Sequence, residues 1–275
     1  MDTFVHILSS RIKMNRKIVF FDIDGTIYMY GKGVPNDTKD AIRNLRENGH
    51  LAIICTGRTR NMVFPEISEI GFDGIIAGAG TYVECQDVFY DKRLSREYAQ
   101  QVYEDMLTYG VLPIGEGVEA IYFDVKHIPE QYRDIYELYH TKIPQYVKDI
   151  REEESIDVSK FSGVLLDKEK SRYFLEKYKD DFQIIYHNTN YIEMIPANYS
   201  KAKGIEYLID KLNISIEDTY AFGDGMNDYE MLKYVRYGVV MGNAAEEFKK
   251  KIDIVTEEYN KGGISNALKR FGLID

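Results

Sequence analysis

An apolar run that ends in two aspartates constrains the fold of this 275-residue chain more than any other feature. In "KIVFFDIDGTI", residues 17–27, the run up to Phe21 is apolar at consecutive positions. This pattern is typical of a parallel strand that helices cover on both faces. Asp22 and Asp24 follow at once, although burying carboxylates at the edge of a core costs free energy. The sequence therefore predicts a buried strand whose end has a chemical role.

Strand-like and helix-like segments alternate on both sides of a different middle region. The first part has a helix at 35–49, strands at 51–55 and 74–78, and a helix over roughly 60–70 between them. From Ser200 onward, helix, strand, helix, strand and helix follow one another up to residue 251. Such alternation indicates a doubly wound parallel sheet with helices on its faces.

The pattern changes between residues 84 and 191. Helices are predicted near 95–109, 129–140 and 168–178, and the strands "FQIIY" and "YIEMIP" form a hairpin. We predict an α/β protein with a Rossmann-like core formed by residues 14–83 and 192–275. Residues 84–191 are predicted to form an inserted α+β cap domain.

The charge and hydropathy of the chain exclude several kinds of partner. The formal net charge of −10 would repel a nucleic acid backbone and an anionic membrane. No stretch approaches the ~20 apolar residues of a membrane span. We expect a cytoplasmic protein with no nucleic acid or membrane partner, as a monomer or a dimer. Residues 1–13 precede Met14 and the first strand, and we interpret them as an appended or mis-started segment.

Asp22 and Asp24 are candidates for a reactive pair. Side chains two residues apart in a strand point to the same side, here at the carboxyl end where open α/β sheets bind ligands. Two close carboxylates can hold Mg²⁺, or one can act as nucleophile and the other as general acid and base. A helix cap or turn would explain an isolated pair, but the apolar run and the following Gly25 favour the chemical interpretation.

Three further motifs occur downstream. These are "CTGR" at 55–58, Lys201 in "NYSKAKGIEYL", and "FGDGMND" at 222–228. Together with "DIDGT", their order and spacing resemble those of the haloacid dehalogenase superfamily of phosphatases. The position of the middle region suggests the Cof-like branch, which has a large α/β cap of the C2 type.

The resemblance implies roles for the charged residues. Asp22 would be the nucleophile, Asp24 the general acid and base, and Lys201 the cation that neutralises phosphate and nucleophile. Mg²⁺ would be held by Asp22, by the backbone carbonyl of Asp24 and by Asp224, and Asp228 would support the metal site.

The resemblance also implies a phosphate-binding set. The hydroxyl of Thr56 would bind the transferring phosphoryl group, and backbone amides near Gly25 and Gly57 and the side chain of Asn227 would donate to its oxygens. For Arg58 two alternatives are open, which are a contact to the substrate and a surface salt bridge.

These motifs predict a Mg²⁺-dependent phosphatase that hydrolyses small phosphate monoesters, such as sugar phosphates or phosphorylated cofactors, through an aspartyl-phosphate intermediate. A phosphate ester repels an anionic nucleophile, so attack by Asp22 requires nearby cations. Two alternatives are open. One is a phosphomutase or phosphotransferase that acts on sugar phosphates, and the other is a non-catalytic regulator that binds a phosphorylated metabolite.

Overall fold

The structure is a computed structural model that describes residues 16–187 and 189–275. The interpretation of residues 1–13 therefore lies outside the described residues. The chain forms two compact units. The first contains the described part of Met1–Cys55 together with Glu69–Gly74 and Glu206–Asp275, and the second contains Thr56–Ser68 and Ile75–Ile205. The predicted cap, residues 84–191, falls within the second unit.

Both units contain strands and helices. The strands are β1 (Ile18–Phe21), β2 (Leu51–Cys55), β3 (Gly74–Ala77), β4 (Tyr82–Cys85), β5 (Val88–Asp91), β6 (Val111–Glu116), β7 (Ile121–Phe123), β8 (Val147–Asp149), β9 (Lys160–Leu165), β10 (Phe182–Tyr186), β11 (Tyr191–Pro196), β12 (Thr219–Gly223), β13 (Tyr237–Val240) and β14 (Ile254–Val255). The helices are α1 (Asn36–Glu47), α2 (Pro65–Ser68), α3 (Arg96–Thr108), α4 (Arg133–Lys142), α5 (Lys168–Tyr178), α6 (Lys201–Leu212), α7 (Tyr229–Tyr234), α8 (Glu246–Lys249) and α9 (Gly263–Arg270). Among these described helices, none has both the length and the apolar character that a membrane crossing requires.

Parallel strands form the centre of the first unit, in the order β14, β13, β12, β1, β2. Every residue of β1 is buried, as expected for a strand in the middle of a covered sheet. Phe21 is in register with Phe222 of β12, and their rings stack with centroids 5.3 Å apart. The carboxyl ends of β1 and β12 therefore lie side by side. This arrangement brings two distant segments of the chain together.

The second unit contains a six-stranded sheet with the order β10, β11, β9, β6, β7, β8. Its neighbouring strands are antiparallel, apart from the parallel pair β7 and β8. One face packs against α3 and α5, with Phe161 in the same apolar cluster as Met106 and Phe174. Because side chains alternate along a strand, Lys160 and Ser162 of β9 lie on the opposite face.

The helix predicted over roughly 60–70 is wrong. This segment has a short 3₁₀ turn at Arg60–Met62 and the four-residue helix α2. Pro65 explains the interruption, because the residue before a proline is disfavoured in the α conformation. The helix can therefore begin only at Pro65 itself.

Candidate active site

Three aspartates meet at the carboxyl ends of β1 and β12. Asp22 directly follows β1, and its backbone N–H donates to the carbonyl of Phe222 at 3.0 Å. One carboxylate oxygen each from Asp22, Asp224 and Asp228 lie within 4.8 Å of one another. Asp22 is 4% exposed and Asp228 is fully buried. Three carboxylates this close repel one another when no cation lies between them. Their oxygen atoms are ligands that suit a divalent cation.

Backbone amides hold the loop that carries Asp224. Oδ2 of Asp228 accepts hydrogen bonds from the N–H of Asp224 at 3.0 Å and from that of Gly225 at 3.1 Å. A Cβ atom at Gly223 would lie 2.6 Å from the Cβ of Asp228, so this position requires glycine. Asp228 therefore holds the backbone of this turn in place, and the turn positions the carboxylate of Asp224.

Gly25 lies directly against Asp224. Its φ of +81° is in the left-handed region, and a Cβ atom here would lie 2.0 Å from Oδ2 of Asp224. Thr26 Oγ1 donates a long hydrogen bond of 3.5 Å to Oδ1 of Asp224. The absence of a side chain at Gly25 permits this turn and also makes room for the loop that carries Asp224.

Asn243 fixes the same turn and was missed by the sequence analysis. Its Nδ2 donates to the carbonyl of Gly25 at 2.8 Å, and its Oδ1 accepts from the N–H of Tyr259 at 2.9 Å. Asn243 follows β13, the neighbour of β12. A polar residue just after another strand of the parallel sheet is the signal that would have identified it.

Asp24 occupies a different environment from Asp22. Because β1 ends at Phe21, strand alternation does not extend to Asp24. Its side chain is exposed, and its backbone forms a bridge with Tyr28. Among the described residues, the group of metal-competent carboxylates contains Asp22, Asp224 and Asp228. Coordination by the Asp24 carbonyl stays a prediction.

Thr56 and Arg58 lie in the second unit, at the end of β2. Thr56 is 1% exposed, and its Oγ1 accepts a hydrogen bond from the N–H of Arg58 at 3.1 Å. The guanidinium of Arg58 lies 4.5 Å from the ring centroid of Phe64, and its Nη1 donates to the carbonyl of Met62 at 3.1 Å. Packing on an aromatic face restricts the direction of this guanidinium. Whether it contacts substrate stays a prediction.

Lys201 and Asn227 differ in exposure. Lys201 is the first residue of α6 and is 3% exposed. Burial of an ammonium group is unfavourable unless anionic or polar groups surround it, and the role of Lys201 beside phosphate stays a prediction. Asn227 is exposed on the turn Met226–Asp228, and its predicted contact to phosphate stays a prediction.

A second set of buried charges lies on the six-stranded sheet of the second unit, beside Gly57. Lys160 Nζ is 2.8 Å from Oε2 of Glu116 and 2.7 Å from Oε1 of Glu193. These three side chains are nearly completely buried. Ser162 donates to Glu116, and Nε2 of His187 lies 2.9 Å from Oε2 of Glu193. We call these five residues the Lys160 cluster.

Electrostatic pairing fixes the charge states in the Lys160 cluster. Burial alone raises the pKa of Glu193, but the Lys160 ammonium and the His187 ring outweigh it and lower this pKa to about 2. Burial alone lowers the pKa of Lys160, but Glu116 and Glu193 outweigh it and raise it. Lys160 and Glu193 therefore form a charged pair at neutral pH. No sequence motif indicated this cluster.

Grouped carboxylates at the strand ends of a parallel α/β sheet form an arrangement that can bind a divalent cation where such sheets bind their ligands. Residues 19–268 match the model of the haloacid dehalogenase-like hydrolase family. The chain belongs to this family. The recognition from the motifs, the expected enzyme class and the α/β fold class are thus confirmed.

Individual relatives agree with the family. The chain is 32% identical over 265 residues to "Putative phosphatase YkrA" of Bacillus subtilis (strain 168), covering 95% of this chain and 100% of the relative. It is similar to a solved structure of a hypothetical protein from Geobacillus kaustophilus HTA426, with a TM-score of 0.81, 33% identity, and coverage of 94% and 100%. It is also similar to the structure of the HAD subclass IIB sugar phosphatase BT4131, with a TM-score of 0.78, 26% identity, and coverage of 94% and 100%.

Proposed function

We propose that this enzyme is a Mg²⁺-dependent phosphatase that hydrolyses small phosphate monoesters through an aspartyl-phosphate intermediate. The observation that carries the proposal is the grouping of Asp22, Asp224 and Asp228 at the adjoining ends of β1 and β12. Similarity to a sugar phosphatase supports sugar phosphates as substrates, with phosphorylated cofactors as the other class.

The donor set suits a hard cation that prefers oxygen ligands. The carboxylates of Asp22 and Asp224 and the backbone carbonyl of Asp24 would hold Mg²⁺, and Asp228 would orient the loop. When bound, the ion would offset the repulsion between the phosphate and the attacking carboxylate.

The chain's own residues would perform two displacements at phosphorus. In the first, an oxygen of Asp22 attacks phosphorus, the bond to the leaving oxygen breaks, and Asp24 gives that oxygen a proton. In the second, Asp24 takes a proton from water as the water attacks phosphorus, which releases inorganic phosphate and restores Asp22. Thr56 and Lys201 would bind the phosphoryl oxygens in both steps.

The division of labour between domains is part of the proposal. Residues 14–83 and 192–275 would form the catalytic core, and residues 84–191 would form the cap that sets substrate specificity. The small-metabolite class follows from this division, because a cap restricts the size of the molecule that reaches the reacting groups.

Released phosphate tests the proposal directly. Purified protein should hydrolyse members of a panel of sugar phosphates and phosphorylated cofactors with Mg²⁺, and EDTA should abolish the reaction. Asp22→Asn should lower kcat by about 1,000-fold or more, since an amide is a poor nucleophile. The control Asp40→Asn changes an exposed side chain and should keep wild-type kcat.

Other outcomes would separate the alternatives. Equal phosphate release by wild type and Asp22→Asn would contradict the enzymatic role of Asp22 and favour the non-catalytic regulator. Conversion of a sugar monophosphate into its isomer without release of inorganic phosphate would identify a mutase, because a second hydroxyl would then accept the phosphoryl group in place of water.

A further inference from the structure

The Lys160 cluster lies on the face of the six-stranded sheet that the apolar core does not use. Neighbouring strands β6, β9 and β11 supply Glu116, Lys160 and Glu193. The other face holds Phe161 and Met194, which pack in the core with α3 and α5. The polar side chains therefore do not fill a gap in that core.

Stability alone does not explain charges at these positions. Replacing a buried ion pair by apolar residues of similar volume is often neutral or stabilising, because desolvation offsets much of the attraction between the charges. Glu116, Lys160 and Glu193 are each at most 6% exposed. Retaining three ionisable groups at such depth points to a role in binding.

Gly57 connects the cluster to the proposed phosphate site. A Cβ atom built on Gly57 would lie 3.2 Å from Oε1 of Glu193, so the backbone of the "CTGR" loop runs directly past this carboxylate. Thr56, the preceding residue, is the proposed phosphoryl ligand. Glu193 therefore lies beside the loop that carries this proposed phosphoryl ligand.

The cluster offers hydrogen-bond acceptors and excess negative charge. Two carboxylates share one ammonium, which leaves a formal charge of −1 when His187 is neutral. Lys160, Ser162 and His187 each donate to the carboxylates, yet each carboxylate oxygen can accept more than one hydrogen bond. Hydroxyl groups would complete this set, whereas a second anion would be repelled.

We propose that the Lys160 cluster recognises hydroxyl groups of the leaving alcohol and rejects phosphate esters that carry a second anionic group. This inference rests on the proposed phosphatase function and specifies its substrate class. Glu193 and Glu116 act as specificity-determining residues. The preferred substrates are phosphomonoesters of uncharged polyhydroxy compounds.

Two matched substrate pairs test the inference. Glucitol 6-phosphate differs from 6-phosphogluconate, and glycerol 3-phosphate from 3-phosphoglycerate, by a hydroxymethyl group in place of a carboxylate. The measurement is the ratio of kcat/KM within each pair, with Mg²⁺ present. The wild type should favour the member without a carboxylate by about tenfold or more in at least one pair. The reason is that the carboxylate of the other member would be placed next to the buried negative charge of the cluster.

Neutral variants show whether the cluster causes this preference. Glu193→Gln and Glu116→Gln preserve shape and remove one negative charge each, and each should lower the ratio about fivefold or more. The matched control Glu154→Gln changes an exposed glutamate of the same unit and should keep the wild-type ratio. Thermal unfolding of each variant verifies that it is folded.

The outcomes separate the two proposals. Suppose that wild-type protein with Mg²⁺ releases phosphate from p-nitrophenyl phosphate, but that folded Glu193→Gln and Glu116→Gln keep the wild-type ratios of kcat/KM. This result would overturn the specificity role and leave the proposed phosphatase function intact. A wild-type preference for the carboxylated esters would also overturn it. No phosphate release from any of the five compounds would overturn the proposed function and the inference with it.

Discussion

The two units bury carboxylates in different ways. In the first unit, Asp22, Asp224 and Asp228 group like charges at the ends of parallel strands. In the second unit, Lys160 lies between Glu116 and Glu193, so the chain itself supplies a cation between two anions. The first grouping suits an ion from solution, and the second is neutralised in part as the protein folds. The charge of the first group can therefore be neutralised by a cation from solution, whereas the second group is neutralised in part by Lys160.

Removing Lys160, the cation of the Lys160 cluster, should produce the largest change in stability. Lys160→Met leaves Glu116 and Glu193 buried without their common partner, and the free energy of unfolding should fall by about 3–5 kcal/mol. Urea denaturation at neutral pH measures this change. The control Lys126→Met alters an exposed lysine in the same unit and should change the free energy of unfolding by less than about 0.5 kcal/mol. An equally small loss in Lys160→Met would remove the distinction between the two groups of carboxylates.

Mg²⁺ affinity sharpens the comparison from the other side. Asp224→Ala removes a carboxylate of the first grouping and should weaken Mg²⁺ binding about tenfold or more, as measured by calorimetric titration. Asp24→Ala should weaken binding less, because this residue is expected to coordinate through its backbone carbonyl. Glu193→Gln, in the second unit, should leave the affinity unchanged. The reverse order of Asp24→Ala and Asp224→Ala would contradict the assigned metal roles.

Lowering the pH should weaken the ion pair between Lys160 and Glu193, with a smaller effect on stability than Lys160→Met. The pKa of Glu193 is lowered to about 2 when folded, from an ordinary value of 4.5, so the unfolded chain takes up the proton first as the pH falls. The stabilising contribution is therefore complete above about pH 4.5 and is lost between pH 4.5 and 2. In this window the free energy of unfolding should fall about 1 kcal/mol per pH unit more steeply in wild type than in Glu193→Gln. Parallel curves for the two proteins, measured by urea denaturation at each pH, would show that Glu193 is not paired as described.

The sequence predicted the first grouping because its residues lie in short motifs. Asp22 follows an apolar run that becomes β1, and Asp224 and Asp228 follow the run that becomes β12. Parallel strands then bring the ends of both runs to one edge of the sheet. Each motif reports its own local structure, so no knowledge of distant pairing is needed to recognise it.

The second grouping depends on pairing that local sequence does not encode. Glu116, Lys160 and Glu193 come from three strands, and they meet only when β6, β9 and β11 are in register. Pro113 lies inside β6, and proline inside an apolar run argues against a central strand, which hides this element from pattern analysis. By contrast, the predicted strands "FQIIY" and "YIEMIP" coincide with β10 and β11 and pair as the expected hairpin. Local antiparallel pairing is readable, whereas register across long separations is not.

The contact between Gly25 and Asp224 joins two segments that lie far apart in the sequence. Asp22 and Gly25 are synthesised well before the neighbouring strand β12 and the loop against Gly25. A nascent or truncated chain that stops before Thr219 would contain Asp22 but neither Asp224 nor Asp228. Under the proposed function, hydrolytic competence would therefore arise only after synthesis has passed Asp228, the last member of the aspartate group.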